Sequence, residues 1–221
     1  MQRFHCQAVL FDLDGTLVNS TPNVEDHWRR WATEHSFDPE EILAISHGRP
    51  TADTIRIIAP TLDAEAEAAK IDRSQAKNMF GIMQAPGAKD LLVALPANSW
   101  AIVTSGNWAI ATNRLRHLDL PIPDVLITTD AVTHYKPHPE GYLKAAARLG
   151  VAPEHCLVIE DAPVGIQAGR AAGMNVIAVA TTYPPNELTT ADACVSGLTK
   201  LTIALHDSRD GKQQIEVAIE D

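Results

Sequence analysis

Four clusters of polar residues in this chain have the types and spacing for chemistry. In "AVLFDLDGT", residues 8–16, two carboxylates, Asp12 and Asp14, stand one residue apart at the exit of an unbroken apolar run. Thr104, Ser105 and Gly106 follow a second such run, Lys136 lies in "HYKPHPE" beyond a third, and Glu160 with Asp161 ends a fourth. Carboxylates crowded together repel and raise one another's pKa, unless a cation neutralises them or one of them is meant to hold a proton. Asp12, Asp161 and Glu160 offer a hard oxygen site of the kind Mg²⁺ prefers, an ion that keeps several waters and takes few protein ligands. Asp14, turned out of that shell, is then the group that carries the proton. Taken singly, each cluster has a plainer explanation: Asp and Ser after a strand cap the next helix, "DG" is a common turn, and a loop lysine is usually solvated. Their joint occurrence at four exits in one chain favours function.

Positioning these residues requires a frame. Five short apolar runs recur: "AVLFD" (8–12), "WAIVTS" (100–105), "VLITTD" (125–130), "LVIED" (157–161) and "VIAVA" (176–180). They are continuous rather than alternating, as in strands buried on both faces. Helical patterns lie between them: "GAKDLLVALPA", "NWAIATNRLRHL", "PEGYLKAAARLG" with Gly150 as its stop, and "GIQAGRAAGM". Strand alternating with helix predicts an α/β fold, a Rossmann-like, doubly wound parallel sheet. Ligands of such sheets bind outside the carboxyl ends of the strands, where these four clusters fall.

The alternation fails between residues 17 and 85. There Thr21 and Pro22 read as an N-cap and first-turn pair, with Val24, Trp28, Trp31 and His35 on one helical face. Asp38, Pro39, Glu40 and Glu41 repeat the start signal, and Asp63 before "AEAEAAK" opens a third helix. The expectation is a helical cap over 18–85 inserted into a core made of 1–17 and 86–221. Helical spacing assigns Trp28 and Trp31 to the core of the cap, and Gly165, Gly169 and Gly173 to close packing of a helix on the sheet. At the C-terminus, "LTIAL" and "QIEVAI" flank the turn pair Asp210 and Gly211, which predicts a small hairpin.

A chain of 221 residues with 45% hydrophobic and 21% charged residues has the composition of an ordinary globular protein. Its net charge of −10 argues against a generic grip on nucleic acid or anionic lipid, which needs a basic face. Cys6, Cys156 and Cys194 are far apart and in no CxxC spacing, which speaks against disulfides or zinc; the scattered histidines are assigned to no metal. No apolar run approaches the length of a signal peptide or membrane span, so the expected setting is cytoplasmic and membrane-free.

With "DLDGT" at 12–16, "VTSGN" at 103–107, "KPHPE" at 136–140 and "VIEDAPVGIQAGRAAGM" at 158–174 in order, the chain resembles haloacid dehalogenase superfamily phosphatases with a helical C1 cap. Within them it is most similar to sugar and hexitol phosphatases and their relative β-phosphoglucomutase. The resemblance implies a Mg²⁺-dependent phosphatase acting on a small phosphorylated sugar or polyol, as a monomer or weak dimer. Asp12 would be nucleophile and metal ligand; Asp14 would lend the metal its backbone carbonyl and serve as general acid and base. Thr104 and Lys136 would hold the phosphoryl oxygens, the amides of Ser105, Gly106 and Asn107 would add an anion nest at a helix start, and Asp161 would bind the metal, with Glu160 nearby or acting through water. In "SHGRPTADT", residues 46–54, His47, Gly48, Arg49 and Thr51 match the cap loop that contacts substrate. A sugar-phosphate mutase is the nearest alternative, weakly disfavoured by Thr16, where the mutase tends to carry Val. A phospho-accepting signalling module without turnover is the other, disfavoured by an insert far longer than an ordinary connection. Asn19, Tyr135 and Glu140 depart from the usual pattern without removing a catalytic group.

Overall fold

The computed structural model describes residues 2–207 and 213–220. Strands β1 (Arg3–Cys6) and β2 (Ala8–Phe11) lead to a short strand β3 (Val18–Asn19). Helices α1 (Thr21–His35), α2 (Pro39–Ser46), α3 (Thr51–Ile58) and α4 (Ala64–Lys77) follow, and β4 (Met83–Gln84) returns antiparallel to β3. The chain then alternates through α5 (Ala88–Ala94), β5 (Trp100–Val103), α6 (Trp108–His117), β6 (Leu126–Ile127), α7 (Glu140–Leu149), β7 (Cys156–Glu160), α8 (Pro163–Ala171) and β8 (Asn175–Val179). It ends with β9 (Ala193–Val195), β10 (Leu201–Asp207) and β11 (Gln213–Ile219).

The main sheet has the order β6-β5-β2-β7-β8-β9, with every pair parallel. The reason for the continuous apolar runs is visible in how successive residues divide. Val9, Phe11, Trp100, Ile102, Leu157, Ile159, Ile177 and Val179 join one core cluster, which α5 and α6 cover. Their neighbours Ala8, Leu10, Ala101, Val103, Cys156, Val158, Val176 and Ala178 join another, which α7 and α8 cover. Side chains alternate across a strand, so a strand covered on both faces needs an apolar residue at every position. A third cluster, with Trp28, Trp31, Ile42, Ile55 and Ile71, is the interior of the four-helix insert, where Trp28 and Trp31 pack edge to face at 5.8 Å.

The start signals hold at Asp38, whose side chain accepts from Glu40 N, and at Asp63, which accepts from Ala66 N; Gly150 ends α7 in the left-handed region. Four details differ from the sequence reading. Ser20 takes the N-cap position of α1, with Thr21 and Pro22 as its first two residues. The polar island 46–54 is a loop only over 47–50, because Ser46 still ends α2 and Thr51 already begins α3. The run 125–130 supplies only a two-residue strand before the chain turns, whereas β1 and β9, too short or too polar to read, are strands. Gly165 and Gly169 do face the sheet, but a Cβ on Gly173 would meet nothing within 4 Å; with φ at +78°, Gly173 serves the turn after α8.

The expected C-terminal hairpin forms, β10 pairing with β11, and β1 adds a third antiparallel strand. The turn pair Asp210 and Gly211 lies outside the described residues. Cys6, Cys156 and Cys194 are unpaired, and burial pushes the Cys6 and Cys156 thiols up to about 12. Among the described residues no helix is long and apolar enough to cross a membrane.

Candidate active site

Strand β2 ends at Phe11, and the next amide, Asp12 N, still donates to Ile159 O of β7 at 2.9 Å, so the first acid leaves the sheet in strand register. The turn that follows depends on Gly15. Its φ is +94°, and a Cβ there would sit 2.0 Å from Asp161 Oδ2, so glycine alone lets this loop approach the acid that ends β7.

Lys136 arrives from the loop before α7 and is buried between two carboxylates. Its Nζ donates to Asp12 Oδ1 at 2.5 Å, to Glu160 Oε1 at 2.7 Å and to Val103 O at 3.0 Å, and it lies 5.3 Å from the centre of the Tyr142 ring. Glu160 is fully engaged. Its Oε1 also accepts from Tyr142 OH at 3.2 Å, and its Oε2 accepts from the amides of Asp161 and Ala162 at 2.8 and 2.9 Å. Gly165 makes room for it, since a Cβ at that point of α8 would lie 1.6 Å from Glu160 Oε1.

Three buried acids thus crowd one ammonium, which pairs directly with two of them, Asp12 and Glu160. Burial, opposed by Lys136 and reinforced by Glu160 and Asp161, holds the Asp12 carboxyl well above its ordinary range. Burial and the Glu160 charge push Asp161 up to about 8. Burial works against the Lys136 ammonium, but Asp12 and Glu160 outweigh it and keep the group charged. Asp12, Glu160 and Asp161 each present an oxygen within 4.8 Å of the others. An all-oxygen set with surplus negative charge fits a hard divalent cation such as Mg²⁺.

A cavity of ≈ 70 Å³ opens over Asp12 and Asp14. Its core side includes Thr104, Ser105, Gly106 and Arg114, and its opposite wall comes from the insert, with Trp28, His47, Arg49, Thr51 and Gln75. The predicted residues therefore converge, with distinctions. Thr104 Oγ1 accepts from Gly106 N at 3.0 Å, whereas Ser105 Oγ donates to Gly48 O at 2.8 Å and fastens the insert's loop to the core. Gly48, at φ +77°, lets that loop lie against Ala162, whose Cβ would be 2.7 Å from an added one. His47 sits edge-on to Tyr183 at 6.4 Å, and burial lowers its pKa. Asn107 is not part of the cavity wall: its side chain caps α6 by accepting from Ile110 N at 3.0 Å and donates to Asp72 at 3.3 Å, the acid that also accepts from Thr51 Oγ1 at 2.7 Å.

Sequence reasoning passed over Arg114, Gln75, Tyr142 and Thr182. For Arg114 a signal existed: it shares the buried side of α6 with Ile110, Ala111 and Leu115, so a charge stands on an apolar helix stripe. Among the histidines, His134 and His138 do gather at Glu140, but Glu140 is already held by Lys144 and by the amides of Thr133 and His134, which keep it well below the usual carboxylate range.

The haloacid dehalogenase-like hydrolase family matches residues 6–173. Hexitol phosphatase A of Escherichia coli (strain K12) is 40% identical over 210 residues, 93% of this chain and 97% of that protein. Glycerol-1-phosphate phosphohydrolase 2 of Saccharomyces cerevisiae is 38% identical over 189 residues, 80% of this chain and 75% of that one. β-Phosphoglucomutase of Clostridium difficile shares the fold, with a TM-score of 0.78 at 23% identity over 89% of this chain and 93% of that chain.

Proposed function

This chain belongs to the haloacid dehalogenase-like hydrolases, and from that footing we propose that it is a Mg²⁺-dependent phosphatase of small sugar or polyol phosphates, working through an aspartyl phosphate on Asp12. The observation that carries the reading is Asp12 itself: a buried carboxylate at the base of a polar cavity, with an ammonium at 2.5 Å and a threonine hydroxyl on the same wall. At roughly 15 Å³ per ordered water, the ≈ 70 Å³ cavity holds about five waters, the scale of a small ester. The hydroxyl, amide, imidazole and guanidinium groups of its wall suit a polyhydroxylated leaving group.

Asp12, Asp161 and the backbone carbonyl of Asp14 would hold Mg²⁺, while Glu160, whose oxygens already accept from Lys136, Tyr142 and two amides, would anchor Lys136 beside it. The ion would supply charge neutralisation at the phosphoryl group. Asp12 attacks phosphorus, the ester P–O bond breaks, and Asp14 gives its proton to the departing alkoxide. A water then attacks the aspartyl phosphate while Asp14 takes the water's proton, the Asp12–phosphorus bond breaks and inorganic phosphate leaves. Lys136, charged in its buried setting, answers the negative charge of the transferring group, and Thr104 donates its hydroxyl to it.

The test is phosphate release from a panel of hexose, pentose and alditol phosphates, with and without Mg²⁺, for the wild type and Asp12→Asn. The variant is expected to fold and to release no phosphate. Near-normal turnover by Asp12→Asn would remove the nucleophile, and isomerised sugar phosphate without free phosphate would make the protein a mutase.

A further inference from the structure

We infer that Arg114 is a positioning residue for Asp14, holding the proton carrier of the core against partners on the inserted helices; the inference rests on the phosphatase reading above. Arg114 belongs to α6, and its side chain is 2% exposed. One arm of the guanidinium, Nη1, donates to Asp14 Oδ1. The other, Nη2, donates to Gln75 Oε1 on α4 at 3.1 Å and to Asn23 Oδ1 on α1 at 3.5 Å. Asn23 is itself held, its Nδ2 donating to the carbonyls of Asn78 and Phe80 at 2.9 and 3.0 Å.

The chemistry of the fork makes this more than a tie between layers. A guanidinium is planar and always charged, so fixing one arm fixes the direction of the other. The arm that ends on the insert meets two neutral amides, which orient the plane without neutralising it. Asp14 is the acid that Arg114 pairs with among the described residues, so a buried charge keeps that carboxylate in one place. The side chain of Asp14 is 24% exposed at the cavity and would otherwise choose among rotamers. Its Oδ1 is taken by Arg114, which leaves Oδ2 for the proton transfers. Among the described residues the buried Nε of Arg114 has no hydrogen-bond partner, so this arginine is seated by its two Nη arms.

The experiment compares wild type, Arg114→Gln and Gln75→Leu on two phosphoryl donors, an ester and an acyl phosphate. One is the polyol phosphate that the wild type turns over fastest; the other is acetyl phosphate, whose acetate departs without a proton. Because kcat/KM covers the steps up to departure of the first leaving group, the second use of Asp14 does not enter it. Arg114→Gln is expected to lower kcat/KM on the polyol phosphate roughly 30-fold, through kcat with KM held within about twofold, and to lower it at least tenfold less on acetyl phosphate. Gln75→Leu, which keeps the Arg114–Asp14 pair but removes one of the two acceptors of Nη2, should shift the same ratio in the same direction by a few-fold, through kcat with KM held.

Equal losses on both substrates would make Arg114 a structural tie, and a raised KM with kcat kept would make it a substrate ligand; either overturns the inference. Should Arg114→Gln lack a native near-UV spectrum, Gln75→Leu decides: an unchanged substrate ratio, or one changed through KM, overturns the inference, and a selective loss carried by kcat with KM held upholds it. A wild type that releases phosphate from neither substrate would instead sink the phosphatase reading, and this inference with it.

Discussion

Replacing Lys136 by methionine should destabilise the metal-free protein in a way that depends on pH. The variant keeps most of the side-chain volume but removes the ammonium that lies 2.5 Å from Asp12 and 2.7 Å from Glu160. Both acids are buried, so an ionised carboxylate left behind has no solvent to turn to. Breaking a buried ion pair by deleting one partner costs about 3–5 kcal/mol. An independent bound comes from protonation: neutralising an acid of ordinary pKa near 4 costs about 1.4 kcal/mol per pH unit, hence about 4 kcal/mol at pH 7 and about 1.4 kcal/mol at pH 5. The two estimates agree at neutral pH, and the second says that the penalty must shrink as the solution acidifies. In a chain of this size about 4 kcal/mol corresponds to a Tm lowered by about 8–16 °C at pH 7. Urea unfolding in EDTA at pH 5, 6 and 7 measures it. A destabilisation equal at all three values would mean that packing rather than charge is lost, and one below about 1 kcal/mol at pH 7 would refute the argument that Lys136 neutralises these acids.

Further outcomes follow from the same geometry. Because burial and Glu160 push Asp161 from the usual carboxylate range up to about 8, the folded metal-free protein holds a proton that the unfolded chain releases; its stability should fall as pH rises through that window. Mg²⁺, competing with that proton, should raise Tm more at pH 8 than at pH 5, and equal gains would count against Asp161 as a ligand. Thr104→Val should cost about 3 kcal/mol of transition-state stabilisation, which steady-state kinetics would show as catalytic efficiency lowered by about two orders of magnitude. Gly165→Ala, whose Cβ would lie 1.6 Å from Glu160 Oε1, should dislodge the anchor of Lys136 and lower both Tm and activity. Gly197→Ala, with its nearest neighbour at 3.9 Å and extended backbone, should do neither.

Much of the frame was legible because it rests on local patterns. Strands β2, β5, β7 and β8 announce themselves as uninterrupted apolar runs, and Asp38, Asp63 and Gly150 mark helix ends through their own side-chain and backbone preferences. What escaped was weak or crowded local signal. "RFHC" and "ACV" are too short to show a period, and "VLITTD" spends most of its length turning. Ser20 and Thr21 are both good capping residues, and where α1 begins depends on how the chain leaves β3.

The site divides along the same line. That Asp12, Thr104 and Asp161 would meet at one rim could be read from residue order alone, because the strands of a parallel sheet all end at the same edge. Which charge pairs with which could not. Lys136 reaches Asp12 across 124 positions and Arg114 reaches Asp14 across 100, and the side chain of Asn107 caps α6 and holds Asp72, 35 positions away. Coulomb forces among buried groups are set by separations of a few ångströms and by the loss of water around them. Both are properties of segments brought together, and neither is encoded in any one of them.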